Sequence, residues 1–361
     1  MHNKNILIMA GGTGGHIYPA LAVADNLKEK GFQLFWLGTE KGMESRVIPE
    51  HGYPLMKINV SGVRGNGIVR LLFTPIMLAI ALVQALLIMI KVRPVVVLGM
   101  GGFASGPGGV AAWLMRIPLL IHEQNAIAGL TNRLLSPFAV SVMAAFPNAF
   151  KQSEKLIITG NPVRKNITNI IQPEQRYANR DDKTLRVLVL GGSLGARKLN
   201  EVIPEAIATL GNDVEYEIKH QCGEKHVENT KAAYQTHNVK VEVLPFIKDM
   251  AEVYGWADIV ICRAGALTIA ELATTGIASI LIPFPYAVDD HQTSNANYLA
   301  NEGAAVLIQE AQLNAEKIKD LLLKWYQAPE QLLQMAVKAR SLAKPAATND
   351  AARLCLEAIH A

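Results

Sequence analysis

Two glycine clusters stand 180 residues apart, and each closes a short apolar run. Ile6–Ala10 leads into Gly11, Gly12, Thr13, Gly14 and Gly15, with His16 next. Leu185–Leu190 leads into Gly191, Gly192, Ser193 and Gly195. A parallel strand ending in such a loop hands over to a helix whose first N–H groups are unpaired and whose dipole end is positive. Glycine lets the backbone approach an anion, and a Thr or Ser hydroxyl adds a donor, so phosphate is the natural ligand. A tight turn that needs glycine for backbone geometry alone is an equal reading of one such loop. Two at equivalent positions favour the ligand, because open α/β sheets bind ligands at these strand ends. A third run, Gly99–Gly109, follows Val95–Leu98 and either cradles an anion or permits a sharp turn. Its Pro107 suits the first turn of a helix.

His16 follows the first loop at a helix start, where an imidazole can take a proton from a reacting hydroxyl. It can equally cap the helix or donate to a phosphate. His122, Glu123, Gln124 and Asn125 lie at another strand end. Glu123 is a second catalytic candidate or serves a helix start, and His122 can be a buried structural histidine. No Gly-Lys-Ser/Thr follows any loop, so none is a Walker A motif. Gly99-x-Gly101-x-x-Ala104 fits a relaxed dinucleotide fingerprint, and Glu40 ends the second strand like a ribose-binding acid. A nicotinamide or flavin enzyme is therefore the weaker alternative.

The elements that must position these residues alternate along the chain. Strands are expected at Asn5–Ala10, Gln33–Leu37, Val95–Leu98, Leu119–His122 and Val140–Met143. Helices are expected at Tyr18–Lys30, Met43–His51, Ile68–Lys91 and Gly108–Met115. After a polar stretch, Gln172–Lys183, the pattern restarts. Its strands are Leu185–Leu190, Val214–Lys219, Val239–Leu244, Ile259–Cys262, Ile280–Ile282 and Ala305–Ile308. Ala315–Ala343 is expected to be helical almost throughout, and a last helix follows Pro345 at about Asp350–His360. This alternation predicts two similar doubly wound α/β domains with parallel sheets, joined by a linker near Asn161–Arg180.

Length agrees, since 361 residues suit two domains of roughly 100–200 residues each. Half of the residues are hydrophobic and 18% are charged, with a net charge of +4. That mild excess lacks the basic stripes of a nucleic-acid binder and is compatible with anionic lipid or phosphate. Cys222, Cys262 and Cys355 form no C-x-x-C pair, and so sparse a set suits a reducing cytoplasm. The N-terminal apolar run is too short for a signal peptide.

Six segments in chain order, GGTGGH, VLGMGGFASGPGG, HEQNAIAGLTNR, GNPVR, GGSLGARKLN and CRAGALTIAEL, resemble the MurG family of bacterial cell-wall glycosyltransferases. The resemblance covers essentially the whole chain. It implies the GT-B arrangement, two Rossmann-like doubly wound domains facing across a deep cleft. Residues 1–162 plus 345–361 would form the acceptor and membrane-facing domain, and 163–344 the UDP-sugar donor domain. The implied reaction is inverting transfer of N-acetylglucosamine from UDP-N-acetylglucosamine to the 4-hydroxyl of the N-acetylmuramyl unit of lipid I, giving lipid II for peptidoglycan. The implied location is peripheral, on the cytoplasmic face of the inner membrane. Partners from cell-wall synthesis and cell division are compatible with the family but carried by no motif.

The resemblance also implies roles for residues. Thr13, Gly14 and Gly15 lie near the acceptor diphosphate or the transferred sugar; the family does not itself single out the base, for which His16 stands on its position in the sequence. Asn125 contributes to the donor site. Ser193 and its neighbouring backbone hold the UDP phosphate, and Arg164 adds a positive charge, unless it is a surface linker arginine. Ile247 matches the position whose backbone reads uracil. After Arg263, the segment Ala266, Leu267, Thr268, Ile269 and Ala270 opens a helix whose amides suit the diphosphate. Glu271 matches a ribose-hydroxyl ligand; its other reading is an ordinary first-turn helix acid. Gln292 and Asn295 align with sugar-contacting amides. The segment Asp289–Asn295 is one residue longer than the family pattern, with His291 where a glutamine stands. No Asp-x-Asp occurs, so no obligatory metal or other cofactor is expected.

Leu71–Ile90 contains no charged residue, and Arg70 and Lys91 flank it. Its length alone suits a membrane span. Pro75 and Gln84 interrupt it, and it lies between two strands expected in one sheet. It is therefore read as a crossover helix with one buried face and an apolar outer face. Beside Arg64, Arg70, Lys91, Arg93 and Arg116, that face would dock on an anionic membrane.

Overall fold

The computed structural model describes residues 4–60, 68–180, 182–192, 194–211 and 214–360, with backbone alone for 68–73. The chain divides into two units, Met1–Arg164 with Pro345–Ala361, and Lys165–Lys344. The first break falls two residues beyond the expected one. Val163 stays with the first unit because its carbonyl accepts from the Thr348 hydroxyl at 3.2 Å.

In the first unit the elements are β1 (Asn5–Met9), α1 (Gly14–Glu29), β2 (Gln33–Gly38), α2 (Glu44–Glu50), β3 (Leu55–Lys57) and α3 (Ile68–Val92). They continue with β4 (Val96–Gly99), α4 (Ser105–Leu114), β5 (Leu119–Glu123), α5 (Leu130–Leu135), β6 (Ser141–Ala144) and β7 (Leu156–Ile158). The strands form one sheet in the order β3-β2-β1-β4-β5-β6-β7, and every pairing is parallel. Successive side chains of a strand point to opposite faces, so β1 feeds two cores. Ile6 and Ile8 pack with α1, whereas Leu7 and Met9 pack with α3 and α4. Both faces are covered, as an all-parallel sheet requires.

The second unit contains α6 (Lys165–Thr168), α7 (Pro173–Ala178), β8 (Leu185–Leu190), α8 (Arg197–Ala208), β9 (Tyr216–Gln221), α9 (Val227–Thr236), β10 (Glu242–Leu244) and α10 (Met250–Trp256). It continues with β11 (Ile259–Cys262), α11 (Ala266–Thr275), β12 (Ala278–Leu281), α12 (His291–Ala300), β13 (Ala305–Leu307), α13 (Ala315–Gln327) and α14 (Pro329–Ser341). Its six strands are again parallel, in the order β10-β9-β8-β11-β12-β13. The last helix, α15 (Ala347–His360), buries Ala351, Ala352, Leu354 and Cys355 in the same core as α1. Both halves are thus Rossmann-like α/β folds.

Several expectations need correction. Ala315–Ala343, expected to be helical almost throughout, is so as two helices, because Pro329 cannot continue α13 and instead starts α14. The polar stretch after residue 172 holds α7, which is anchored by Arg176 together with the buried Pro173 and with Tyr177, packed against the core. That buried guanidinium donates to the carbonyls of Thr275, at 3.0 Å, and Gly276. β3 and β7 have three residues each, too few to leave a pattern. α1 begins at Gly14 rather than Tyr18, which places His16 inside its first turn.

α3 leaves from beyond edge strand β3 and returns to β4 within the same sheet. Ala81, Ala85, Met89 and Val92 form its buried stripe, while Ile76, Leu78, Ile80, Val83, Leu87 and Ile90 are exposed. The spacing of the buried residues is that of one helix face. The segment Thr74–Val92 has a mean hydropathy of 2.3, long and apolar enough to cross a membrane by composition. It is packed on the sheet as a crossover instead.

Two buried histidines give the fold a pH dependence. Burial lowers the pKa of His220 to about 3. Its Nδ1 lies 2.9 Å from the Tyr234 hydroxyl, and its Nε2 lies 3.0 Å from Asn200 Oδ1. Burial likewise lowers His122 to about 4. The unfolded chain, whose histidines titrate near the ordinary 6.5, takes up these protons first. Stability is therefore complete above that pH and is lost as pH falls toward 4. Urea midpoints should drop between pH 7 and 4.5, and His220→Gln should flatten that slope. A pH-independent wild-type midpoint would refute this.

Candidate functional site

Building from β1 upward, Gly12 takes a φ of +88° and its N–H donates to Glu44 Oε2 at 2.9 Å. The other oxygen of Glu44 accepts from the Thr39 N–H at 2.9 Å and the Thr39 hydroxyl at 2.7 Å. Glu44 is buried, so these three donors offset the cost of removing its charge from water. It fixes the first loop and was not singled out from sequence. Thr13 is the N-cap of α1, but its side chain makes no capping bond. Its hydroxyl and the open first turn at Gly14 and Gly15 are exposed or half-buried, as an anion site requires.

The third glycine run packs against the first. A Cβ on Gly102, at φ +91°, would come within 2.6–2.9 Å of the Gly11 backbone, and one on Gly101 would lie 2.7 Å from His16 Nδ1. Ser105 Oγ donates to the carbonyls of Met9, at 3.1 Å, and Gly101, at 2.8 Å. These glycines serve close approach of two loops. Glu40 is exposed and pairs with Lys57 at 3.4 Å, an ordinary surface contact that lends the dinucleotide alternative no support.

His16 Nδ1 lies 2.9 Å from Gln124 Oε1. Gln124 Nε2 lies 3.2 Å from His122 Nδ1, and His122 Nε2 lies 3.0 Å from the Gly160 carbonyl. His122 and Gln124 are buried, and His16 is half-buried. The structure therefore joins two segments that the sequence kept apart.

Glu123, expected as a second catalytic group, is instead a brace. Its Oε1 accepts from the Asn125 N–H at 3.0 Å and the Asn125 amide at 3.2 Å; its Oε2 accepts from the Gly129 N–H at 3.0 Å and Asn132 at 2.8 Å. A buried carboxylate whose oxygens hold four donors is tied to the loop that supplies them. Arg164 belongs to the first unit, with its guanidinium 5.4 Å from the centre of the Tyr18 ring in α1, and is no part of the unit expected to hold the donor.

In the second unit, Gly192 and Gly195 take φ values of +78° and +80°. A Cβ on Gly195 would meet the Cys222 carbonyl at 2.2 Å, so close approach also shapes this loop. Ser193 lies outside the described residues. Ile247 follows β10 and is buried. α11 starts at Ala266 after Gly265, with no side-chain cap and no acid in its first turn. Ala266, Leu267 and Thr268 open the helix, and the Ile269 N–H, ahead of Ala270, already reaches the Gly265 carbonyl at 2.9 Å. Glu271 thus sits in the second turn, which removes the first-turn acid reading. It is buried and accepts from the Tyr254 hydroxyl at 3.0 Å.

Three expected ligands are tied to the fold. Arg263 donates to the carbonyls of Ile282 and Pro283, at 3.3 and 3.2 Å, and pairs with Glu310. Gln292 Oε1 accepts from the Ala264 and Phe284 N–H groups at 3.2 and 2.9 Å, drawing the start of α12 to two strand ends. Asn295 is buried and donates to the Ala264 carbonyl at 3.2 Å. His291 contacts the Val288 carbonyl at 2.7 Å, beside Asp289 and Asp290, both left-handed at φ 54° and 49°. Among the described residues no group of three or more His, Cys, Asp or Glu side chains is arranged to hold a metal.

With that geometry in hand, the comparisons are consistent with one another. The glycosyltransferase family 28 N-terminal domain matches residues 6–144, and the family 28 C-terminal domain matches residues 186–352. A UDP-N-acetylglucosamine–N-acetylmuramyl-(pentapeptide) pyrophosphoryl-undecaprenol N-acetylglucosamine transferase of Marinobacter nauticus is 50% identical over 98% of both chains. Its namesake in Pseudomonas syringae pv. tomato is 51% identical over 99% of both. The crystal structure of Acinetobacter baumannii MurG superposes with a TM-score of 0.85 at 44% identity, covering 98% of this chain and 99% of that one. A Neisseria meningitidis UDP-GlcNAc 2-epimerase, bound to UDP-GlcNAc, shares the fold alone, at TM-score 0.67 and 14% identity over 98% of this chain and 100% of that one.

The glycine contacts give a test. Gly102→Ala should cost about 2 kcal/mol or more, by forcing two backbones apart as well as straining φ. Gly12→Ala, at a similar φ but with nothing within 4 Å of its Cβ, should cost only the conformational part, about 1–2 kcal/mol. Equal denaturation midpoints for the two variants would refute the packing argument.

Proposed function

The chain belongs to the MurG family within glycosyltransferase family 28, and from that premise we propose how its residues divide the work. The protein transfers N-acetylglucosamine from UDP-N-acetylglucosamine to undecaprenyl-pyrophosphoryl N-acetylmuramyl-pentapeptide, lipid I, forming lipid II. The observation that carries this is the identity of about half over nearly the whole length of transferases bearing that name.

Inversion needs one in-line displacement, with a base on the acceptor hydroxyl and donors on the departing diphosphate. His16 takes the proton. The open first turn of α1, with Thr13, Gly14 and Gly15, receives the acceptor diphosphate. The second unit holds UDP-N-acetylglucosamine. The amides of Ala266, Leu267 and Thr268 stabilise the diphosphate, and Ser193 assists from its loop. Glu271 accepts from the ribose hydroxyls, Ile247 reads uracil through its backbone, and Gln292 contacts the sugar through its amide nitrogen. Helix ends supply the positive potential that a metal would supply elsewhere, so no divalent ion is required.

The enzyme works at the cytoplasmic face of the inner membrane. Further exposed apolar residues are Trp113, Leu114 and Met115 at the end of α4, which packs on α3, and Leu130 and Leu134 in α5, which packs on α4; Lys91, Arg93 and Arg116, at the ends of α3 and α4, are exposed as well. An apolar face rimmed by cations suits an anionic lipid surface.

Two measurements test this. Labelled sugar should pass from UDP-N-acetylglucosamine to a lipid I analogue at full rate in excess chelator; no transfer would refute the function, and abolition rescued by one divalent ion would refute the metal-free mechanism. In flotation at low salt, the protein should rise with anionic vesicles, and Leu87→Glu with Ile90→Glu should release it. Absence of wild-type binding would refute the membrane reading.

A further inference from the structure

We propose that Gln124 and His122 are positioning residues that hold His16 as the Nδ1–H tautomer, leaving Nε2 as its basic atom. One group in the chain has its role fixed by chemistry. The Gly160 carbonyl can only accept, so His122 Nε2, 3.0 Å away, carries a proton. A neutral His122 then has an unprotonated Nδ1, which must accept. The group facing that atom at 3.2 Å is therefore the amide nitrogen of Gln124. The amide has two ends, so its oxygen faces His16 Nδ1 at 2.9 Å. An amide oxygen can only accept, and His16 Nδ1 must donate.

The neutrality of His122 is supported independently. Its side chain is fully buried, and burial outweighs the opposing effects of the Gly160 bond and Glu123, lowering its pKa to about 4. The nearby His16 pushes in the same direction. Gln124 is also buried, with 1% of its surface exposed, so water does not readily replace its bonds. Gly101 seals the arrangement: a Cβ there would lie 2.7 Å from His16 Nδ1. Among the described residues, Nε2 has no hydrogen-bond partner.

This rests on the reading of His16 as the base and adds the atom that does the work. Proton transfer then balances simply. The acceptor hydroxyl oxygen bonds to the anomeric carbon as the bond to UDP breaks, and its proton passes to Nε2. The resulting imidazolium keeps its Nδ1–H bond to Gln124. A histidine base in the wrong tautomer presents a proton where a lone pair is needed, a defect that costs orders of magnitude in rate.

The test has a spectroscopic and a kinetic arm. Protein with 15N-labelled histidine should show His16, assigned by its loss in His16→Ala, with Nδ1 protonated and Nε2 bare. A wild-type Nε2–H signal overturns the proposal whether or not any variant folds, and leaves the transferase reading intact. Gln124→Leu should populate Nε2–H and lower kcat by about 100-fold, with KM for UDP-N-acetylglucosamine within about twofold. Gln124→Glu, which keeps an acceptor for Nδ1–H, should restore the tautomer and most of kcat. Added to His16→Ala, Gln124→Leu should cause no further loss in kcat. A tautomer switch with unchanged kcat, or full additivity in the double variant, overturns the proposal. Near-normal turnover by His16→Ala alone removes the base reading instead.

Discussion

Everything in the first unit depends on two backbones touching where only glycine fits. β1 and β4 are neighbours, so their loops must turn over the same crest of the sheet. At Gly11 and Gly102 they meet with no room for a Cβ. That contact sets how far α1 and α4 can rise from the sheet, and so where the first turn of α1 opens. It also presses Gly101 against the His16 ring. The fold itself therefore holds the ring in place, between Gly101 and the Gln124 side chain.

The same economy governs the buried carboxylates. Glu44, Glu123 and Glu271 are all almost wholly buried. Glu44 binds Gly12 and Thr39, Glu123 binds the loop from Asn125 to Asn132, and Glu271 is met by Tyr254. Two of the three hold strand-end loops in shape. Charge kept away from water is costly unless it gathers donors, and loops rich in unpaired N–H groups provide them.

What could be read in the sequence follows from the range of the cause. β8 and β11 stand at their expected bounds, because a buried parallel strand is a continuous apolar run. The glycine loops were legible because residue type alone encodes their conformation. Ala315–Ala343 was legible as helical because apolar periodicity continues on both sides of Pro329, where the stretch divides into α13 and α14. The partners of Glu44 and Gln124 could not be read from sequence, since they lie 32 and 108 residues away. Glu123 misled for the same reason: a carboxylate at a strand end reads as an acid until its four donors are located. Family resemblance alone pointed to Arg263, Gln292 and Asn295, and the bonds each makes to neighbouring backbone could not be read from sequence.

α15 has a consequence for how the chain is made. It fills the core against α1, yet it is synthesised after the whole second unit. Until it leaves the ribosome, the face of α1 that will meet Ala351, Leu354 and Cys355 has nothing to cover it. The second unit is contiguous and can close as soon as it emerges, so the order of completion is inverted relative to the order of translation. The nascent first domain must wait with an apolar seam open, and it is there that a chaperone or a premature stop would act.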